Sequence, residues 1–371
     1  MALIEKAGPV PRYVQIERIL RERIAGGELA PGKRLAGERQ LAREFAVSPV
    51  TISKALAELA REGLIVRQPG GGTFVCDPSG TGVARQAPGH YTLFLDTTPI
   101  SHPAANHYMS LLMVGVQEVA AEQGCSIRFI GSARSSGTKR SWMQENAGLL
   151  LCGPVADRRE EVVALAAAGT PMIVCGTRWS DVQVPTVDSD NRDAARQVVE
   201  YLLRLGHTRL AVVSPAPHRT NTIDRLEGCR TTLQDHAIAV REDYFVQAVT
   251  PETLGETAWQ RLERILLGAE APTAVFATDY YLALDVLSKV RALGLHVPHD
   301  LSLVGFDDPV SAAHLSPPLT TVRQPLPQMG RRAAERLLKI IAGTEDSPEV
   351  EVFPTRLVIR DSCRSTRYAE A

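Results

Sequence analysis

The sequence predicts two domains of different class: a small α+β N-terminal unit of three helices and a hairpin, joined to a larger α/β unit built on parallel sheets. Three observations carry this. The first 76 residues show helical apolar periods followed by a short hairpin pattern. Residues 77–90, DPSGTGVARQAPGH, are rich in Gly, Pro and small polar residues, have no apolar period, and read as a linker. From Tyr91 onward short apolar runs alternate with helical patterns, as in a parallel sheet with helices on both faces. At about 100 to 200 residues per domain, 371 residues allow two or three domains. The boundaries drawn are 1–76, 77–90 and 91–371.

The N-terminal unit opens with an amphipathic helix from about Tyr13 to Ala25, carrying Val14, Ile16, Ile19, Leu20 and Ile24, and stopped by Gly26-Gly27. Next, Arg34 to Leu56 reads as two short helices joined by a tight turn. In the first, Leu35, Leu41, Ala42 and Phe45 recur at three- and four-residue spacing. Ala46-Val47 make the turn. Ser48 can cap the next helix through its hydroxyl, and Pro49 follows at the first helical position, where a missing N–H costs nothing. The second helix buries Ile52, Ala55, Leu56 and Leu59, leaving Thr51, Lys54, Glu58 and Arg61 opposite and Ser53 flanking. An exposed face of hydroxyls and bases suits phosphates and base edges. Gly63 ends that helix, and Leu64–Arg67 and Thr73–Val75 read as strands of a glycine-tipped hairpin. Three helices and a hairpin make a winged helix-turn-helix.

An amphipathic helix pair can also be an ordinary hairpin with a solvated face, so charge is the next test. The chain holds 41 Lys and Arg against 42 Asp and Glu, but residues 1–76 hold 12 against 8. The basic excess sits where a phosphate-binding module needs it. In wording and order, residues 11–76 resemble the N-terminal domain of the GntR family of bacterial transcription regulators. The resemblance rests on Gly32, Glu38-Arg39, Leu41-Ala42, Phe45, Val47-Ser48, Thr51, Ala55-Leu56, Leu59, Gly63-Leu64-Ile65 and Gly72-Thr73-Phe74-Val75. It implies DNA contacts by Arg39, Ser48, Thr51 and Gly72, and Lys54 joins them from the helix face. Ala36-Gly37 stand where the family usually has Pro-Ser, and Pro49 and Ser53 stand where it often has bases.

Six cysteines are scattered at 76, 125, 152, 175, 229 and 363, without a C-x-x-C pair or a His cluster at ligand spacing. That fits buried, reduced thiols and no metal. The first thirty residues lack an apolar signal core, and no apolar run nears membrane-spanning length. The expectation is a cytoplasmic protein with no membrane partner.

In the C-terminal unit, strand-like runs fall at 92–95, 127–130, 148–152, 172–175, 210–213, 244–249, 274–277 and 301–306. Helical patterns cover 108–123, 157–168, 190–205, 222–236, 252–267, 279–293 and 326–342. A dehydrogenase would alternate in the same way, but Asp96-Thr97-Thr98-Pro99 follows the first strand where a pyrophosphate needs G-x-G-x-x-G. There is no P-loop and no G-x-S-x-G elbow. A fused pyridoxal-phosphate enzyme would be longer here and carry a recognisable lysine motif. These observations argue against an enzyme and against a cofactor.

Three blocks are more specific: Val187-Asp188-Ser189-Asp190-Asn191 with Gly206-His207-Thr208-Arg209-Leu210; Asp224-Arg225-Leu226-Glu227-Gly228; and Val304-Gly305-Phe306-Asp307-Asp308 with Leu319 to Pro325. Over about residues 91–362 these look like the effector domain of the LacI family, similar in fold to periplasmic sugar-binding proteins. The combination with a GntR-type reader resembles the arabinose repressors of Gram-positive bacteria. The resemblance implies a two-lobed, periplasmic-binding-protein-like α/β parallel-sheet domain with three crossovers, a ligand in the cleft, and a homodimer formed through the lobes.

A sugar presents hydroxyls as donors and acceptors, so its pocket needs carboxylates, amides and Arg near an apolar floor. Asp307, at the carboxyl end of LSLVGF, matches the family's ligand-binding Asp, while Asp308 is the better turn-capping residue. Arg225 matches the family's pocket Arg and can grip a hydroxyl pair or a carboxylate as a fork. Arg219 and Asn221 lie on the same approach. His102, Asn106 and Tyr108 follow the first strand and can line the cleft, although a loop His is more often solvated. Gln324 matches a family position at the lobe crossover, where it would either contact ligand or bind water. Asp279-Tyr280 replace the family's Asn-Asp: Asp279 keeps one carboxylate, and Tyr280 either stacks on a sugar ring or fills space. Gly176 stands where Asp or Asn is common. The expected function is a transcriptional regulator that binds operator DNA as a repressor and answers to a sugar or sugar derivative. A transport-type sugar receptor and a regulator with a vestigial cleft are the rivals.

Overall fold

The computed structural model describes residues 11–30, 32–61, 64–68, 72–75, 91–97, 103–131, 146–153, 158–345 and 347–366. The chain divides into two compact units, Met1–Pro88 and Gly89–Ala371. Residues 77–90, read as the linker, lie outside the described residues.

The first unit is α1 (Arg12–Ala25), α2 (Glu38–Glu44), α3 (Pro49–Arg61), and strands β1 (Ile65–Gln68) and β2 (Gly72–Val75), paired antiparallel. Its core is Ile16, Leu20, Leu41, Phe45, Ile52, Leu56 and Leu59, closed by Ile65 and Val75 from the hairpin. The two apolar stripes therefore meet as their periods predict. Fully burying a side chain such as Leu56 contributes about 1.5 to 3 kcal/mol, so the stripe positions hold the unit together.

The first stripe needs one correction. Leu35 is buried, but α2 starts only at Glu38, after Gly37. Leu35 lies instead in an extended stretch that hydrogen-bonds the hairpin: its N–H donates to the Thr73 carbonyl at 2.7 Å, and Gly32 N–H donates to the Val75 carbonyl at 2.9 Å. Arg34 bridges Phe74 in antiparallel fashion. Residues before α2 thus add a third edge to the wing, and that pairing is invisible to helical periodicity.

The second unit runs β3 (Thr92–Thr97), α4 (Pro103–Gln123), β4 (Ser126–Gly131), β5 (Ala147–Cys152), α5 (Arg159–Ala167), β6 (Met172–Cys175), β7 (Thr186–Ser189), α6 (Asn191–Arg204), β8 (Leu210–Ser214), α7 (Thr220–Asp235), β9 (Phe245–Gln247), α8 (Glu256–Leu266), β10 (Ala274–Ala277), α9 (Tyr280–Ala292), β11 (Ser302–Phe306), β12 (Thr320–Arg323), α10 (Leu326–Ile341), β13 (Val350–Phe353) and β14 (Arg356–Val358). These form two six-stranded sheets, ordered β13-β7-β6-β5-β3-β4 and β14-β12-β11-β10-β8-β9. Runs such as Ala274–Ala277 and Ser302–Phe306 are buried throughout, as expected for parallel strands covered on both faces.

All neighbours are parallel except β14, which pairs antiparallel with β12. Each sheet is the middle of one lobe. The chain passes between lobes after β7, after β12, and between β13 and β14, which makes three crossovers. Four strands, β7, β12, β13 and β14, carry no readable period, because each is four residues or fewer and mixes polar with apolar residues.

Two glycines bring α4 and α10 together. A Cβ on Gly115 would sit 1.9 Å from the Pro327 carbonyl oxygen, and one on Gly330 would sit 1.9 Å from that of Leu112. Backbone-to-backbone contact here locks the N-terminal helix of the first lobe against the helix that re-enters it after the second crossover.

Candidate functional site

The predicted nucleic-acid face is built around the start of α3. Ser48 caps it: Thr51 N–H donates to Ser48 Oγ at 3.2 Å, and the two hydroxyls bond each other at 2.8 Å. Pro49 opens the helix. Arg39 is exposed on α2 and makes no hydrogen bond or ion pair among the described residues. Lys54 is exposed too, but its ammonium rests 4.1 Å from the centroid of the Tyr13 ring, a cation–π contact that draws it toward α1. Gly72 is the first residue of β2 and pairs with Gln68; residues 69–71, expected from the sequence to hold the glycine tip, lie outside the described residues.

The second candidate site lies where the strand ends of the two lobes meet the crossovers. Arg225, on α7, is only 6% exposed. Its Nε donates to Asn191 Oδ1 at 2.9 Å, one terminal nitrogen donates to the Thr278 carbonyl at 2.8 Å, and the guanidinium stacks 3.4 Å from the Phe306 ring centroid. Burial pulls its pKa down, and Asp307, Asp279 and Asp188 oppose that shift. Phe306 is itself fully buried beneath the guanidinium, and two of the donors expected to grip a ligand are already bonded to Asn191 and Thr278.

Asp307, directly after β11, has a left-handed backbone, φ 67°, which is uncommon for a residue with a Cβ and signals a fixed geometry. Its Oδ1 accepts from Gln324 Nε2 at 2.6 Å, and Gln324 Oε1 accepts from Ser189 Oγ at 2.6 Å. Gln324 thus ties the second crossover to β7 of one lobe and β11 of the other. Asp308, expected to cap the turn, is instead gripped by Arg323 and Arg360, each at 2.7 Å.

Asp279 caps α9 by accepting from Tyr281 N–H at 2.9 Å. Burial, reinforced by the nearby Asp307 charge, pushes its carboxyl up to about 7. Asp188, 1% exposed on β7, is pushed up to about 6 by burial, although Ser189 N–H donates to its Oδ1 at 2.8 Å. Asp188 Oδ2, the Tyr108 hydroxyl and Thr278 Oγ are buried with no hydrogen-bond partner. Three polar atoms left this way near one arginine have hydrogen-bonding capacity that no neighbouring side chain or backbone group meets.

Tyr108 explains the Gly176 departure. Gly176 has φ +78°, and a Cβ there would fall 2.3 Å from the Tyr108 hydroxyl. The tyrosine from α4 occupies the space that a larger side chain at 176 would need. At the cleft edge, Arg178 of the first lobe donates to Asp224 of the second at 2.9 Å, and its backbone N–H donates to Thr220 Oγ at 3.0 Å. Arg192 holds the other Asp224 oxygen at 2.9 Å.

Both units of the chain match known proteins. Residues 12–75 match the family described as bacterial regulatory proteins, gntR family, and residues 199–363 match the periplasmic binding protein-like domain. The chain joins a GntR-type helix-turn-helix domain to a periplasmic-binding-protein-like domain. Along nearly its whole length it is similar to the arabinose metabolism transcriptional repressor of Geobacillus stearothermophilus, 27% identical over 97% of this chain and 99% of that one. The regulator MalR of Streptomyces coelicolor is 37% identical over 54% of this chain and 58% of its own. Among solved structures, a LacI-type transcriptional regulator from Bacillus cereus superposes with TM-score 0.65 at 26% identity, covering 75% of this chain and 99% of its own. A complex of the transcriptional regulator CelR with cellobiose gives 0.64 at 26% identity, covering 85% and 91%.

Within the periplasmic-binding-protein-like domain, Arg225, Asp307, Asp279 and Gln324 come together. Tyr280 takes the space-filling role of the two left open: it is buried in the second-lobe core, with its hydroxyl 2.8 Å from Ser311 Oγ. Asn221 turns inward on its own helix start, accepting from Thr222 N–H at 2.7 Å. Arg219 precedes α7, half-buried. His102 lies outside the described residues, as does the side chain of Asn106. His207 is a structural residue, bonded to Thr273 Oγ at 2.8 Å and the Arg364 carbonyl at 3.0 Å. Sequence reasoning gave Asp188, Asn191 and Ser189 no role, although a polar triplet at the end of a buried strand was the available signal. For Arg178 there was none.

Proposed function

We propose that the chain is a DNA-binding transcriptional repressor whose operator affinity is set by an uncharged, hydroxyl-rich effector, a sugar or sugar derivative, held between the two lobes. The supporting observation is the group around Arg225: three carboxylates, one stacked guanidinium and three unpartnered buried polar atoms. Acceptors outnumber fixed cations there, so a donor-rich polyol matches and an anionic ligand meets repulsion. The curated relative at nearly full length is named an arabinose metabolism repressor, and a structural relative holds cellobiose, which supports the sugar class.

The mechanism is a two-state switch in a homodimer. Two winged helices engage successive major grooves, and ligand in the cleft favours the arrangement that fits DNA less well. A ligand preferring that state about 100-fold weakens operator binding by up to the same factor, a coupling of about 2.7 kcal/mol. The protein acts in the cytoplasm and needs no metal or cofactor. Among the described residues no helix is long and apolar enough to cross a membrane.

The test is a panel of neutral sugars, uronic acids and sugar phosphates, titrated while operator binding and thermal stability are followed. A neutral sugar should raise the melting temperature and release DNA. Asp307→Ala should keep DNA binding and lose the response. DNA release with no sugar in the panel, or a normal response in Asp307→Ala, overturns the cleft assignment. Sugar binding without any DNA binding makes the chain a sugar receptor instead.

A further inference from the structure

The recognition helix presents hydrocarbon where a base-reading helix commonly presents cations. Val50, its second residue, is 77% exposed, and Pro49 before it is exposed as well. The two hydroxyls at the same end are occupied with each other, Ser48 Oγ and Thr51 Oγ1 standing 2.8 Å apart. Ser48 Oγ also accepts from the Thr51 amide. Lys54, one turn further along the same face, lies over Tyr13. Ala57, the next residue on that face, is exposed and apolar. Opposite, Ile52, Ala55, Leu56 and Leu59 are fully buried, so the helix has no freedom to roll Val50 inward.

Single exposed apolar residues are ordinary on protein surfaces. This one stands at the end of the helix whose N-terminal residues reach base edges in a helix-turn-helix. In the major groove only the thymine 5-methyl offers a purely apolar contact. Resting on the DNA-binding reading above, we infer that Val50 is a specificity residue that packs against a thymine methyl in each operator half-site. Selection for guanine through a bidentate arginine then has no carrier at this end of the helix.

The experiment starts by selecting duplexes from a randomised library with the full chain, then replacing each thymine of a half-site by deoxyuridine. That substitution removes the 5-methyl and leaves base pairing intact. At one position the swap should weaken binding about four-fold, the worth of one buried methyl-sized group. In Val50→Ala, an exposed position that the helix tolerates, the same swap should change nothing, while the other positions keep their wild-type pattern. Tolerance of deoxyuridine at every position, or an undiminished methyl effect in Val50→Ala, overturns the assignment. If wild type selects no duplex at all, the DNA-binding reading itself fails and this inference falls with it, an outcome distinct from DNA binding without methyl dependence.

Discussion

Replacing Asp188 by Asn should make the ligand-free protein more stable, and more so at high pH than at low. Asp188 is 1% exposed, one carboxylate oxygen has no partner, and burial raises its pKa from 3.8 to about 6. Between those values the folded state holds the proton that the unfolded chain releases. Stability from this group is therefore fully present below 3.8 and is lost as pH rises through 6. Linkage puts the cost of the carboxylate at about 1 kcal/mol at pH 4.5 and about 3 kcal/mol at pH 8. Asn keeps an acceptor for the Ser189 amide and carries no charge, so it avoids that cost. Denaturant unfolding of wild type and Asp188→Asn at both pH values should show the variant gaining about 2 kcal/mol more at pH 8 than at pH 4.5. The effector response should weaken at the same time, since the acceptor that a ligand hydroxyl would meet is gone. An Asn variant that is less stable at pH 8, or whose advantage does not grow with pH, refutes the argument that this carboxylate is held at a cost for binding.

Three further outcomes follow from the same geometry. Gly176→Ala should destabilise through a left-handed Ala, about 1 to 3 kcal/mol, and through its clash with the Tyr108 hydroxyl; adding Tyr108→Phe should recover only the clash, and thermal melts of the single and double variants check this. Arg178→Ala removes a partly exposed lobe-to-lobe pair whose partner Asp224 keeps Arg192, so stability should fall by no more than about 1 kcal/mol while effector dissociates faster in stopped flow. Arg39→Ala should weaken binding to DNA of any sequence and flatten its salt dependence, read from affinities at several salt concentrations; an unchanged slope would remove Arg39 from the phosphate contacts.

How much of this was legible in the sequence follows physical lines. Helical stripes, capped starts and continuous apolar strands are local patterns, and α1, α3 and the long helices of the second unit appear where their periods put them. Short strands such as Thr186–Ser189 carry too few residues for a period, and their identity comes from the neighbour they pair with. The site divides in the same way. Asp307 and Arg225 were marked by motifs, whereas Arg178 and Asp224, 46 residues apart, meet only because two lobes fold toward each other.

The sequence by itself determined the two domain classes and the capped start of α3, and it marked the polar side chains proposed above for a polyol, because those depend on local spacing and on side-chain chemistry. Only the tertiary structure decided how they are used. It drew Lys54 onto Tyr13 and left Val50 exposed, folded Tyr280 into the core, put the Tyr108 hydroxyl in the space over Gly176, and buried Asp188 with an oxygen to spare. Burial and unmet hydrogen bonds are properties of what surrounds a group, and contacts distant in sequence supply those surroundings.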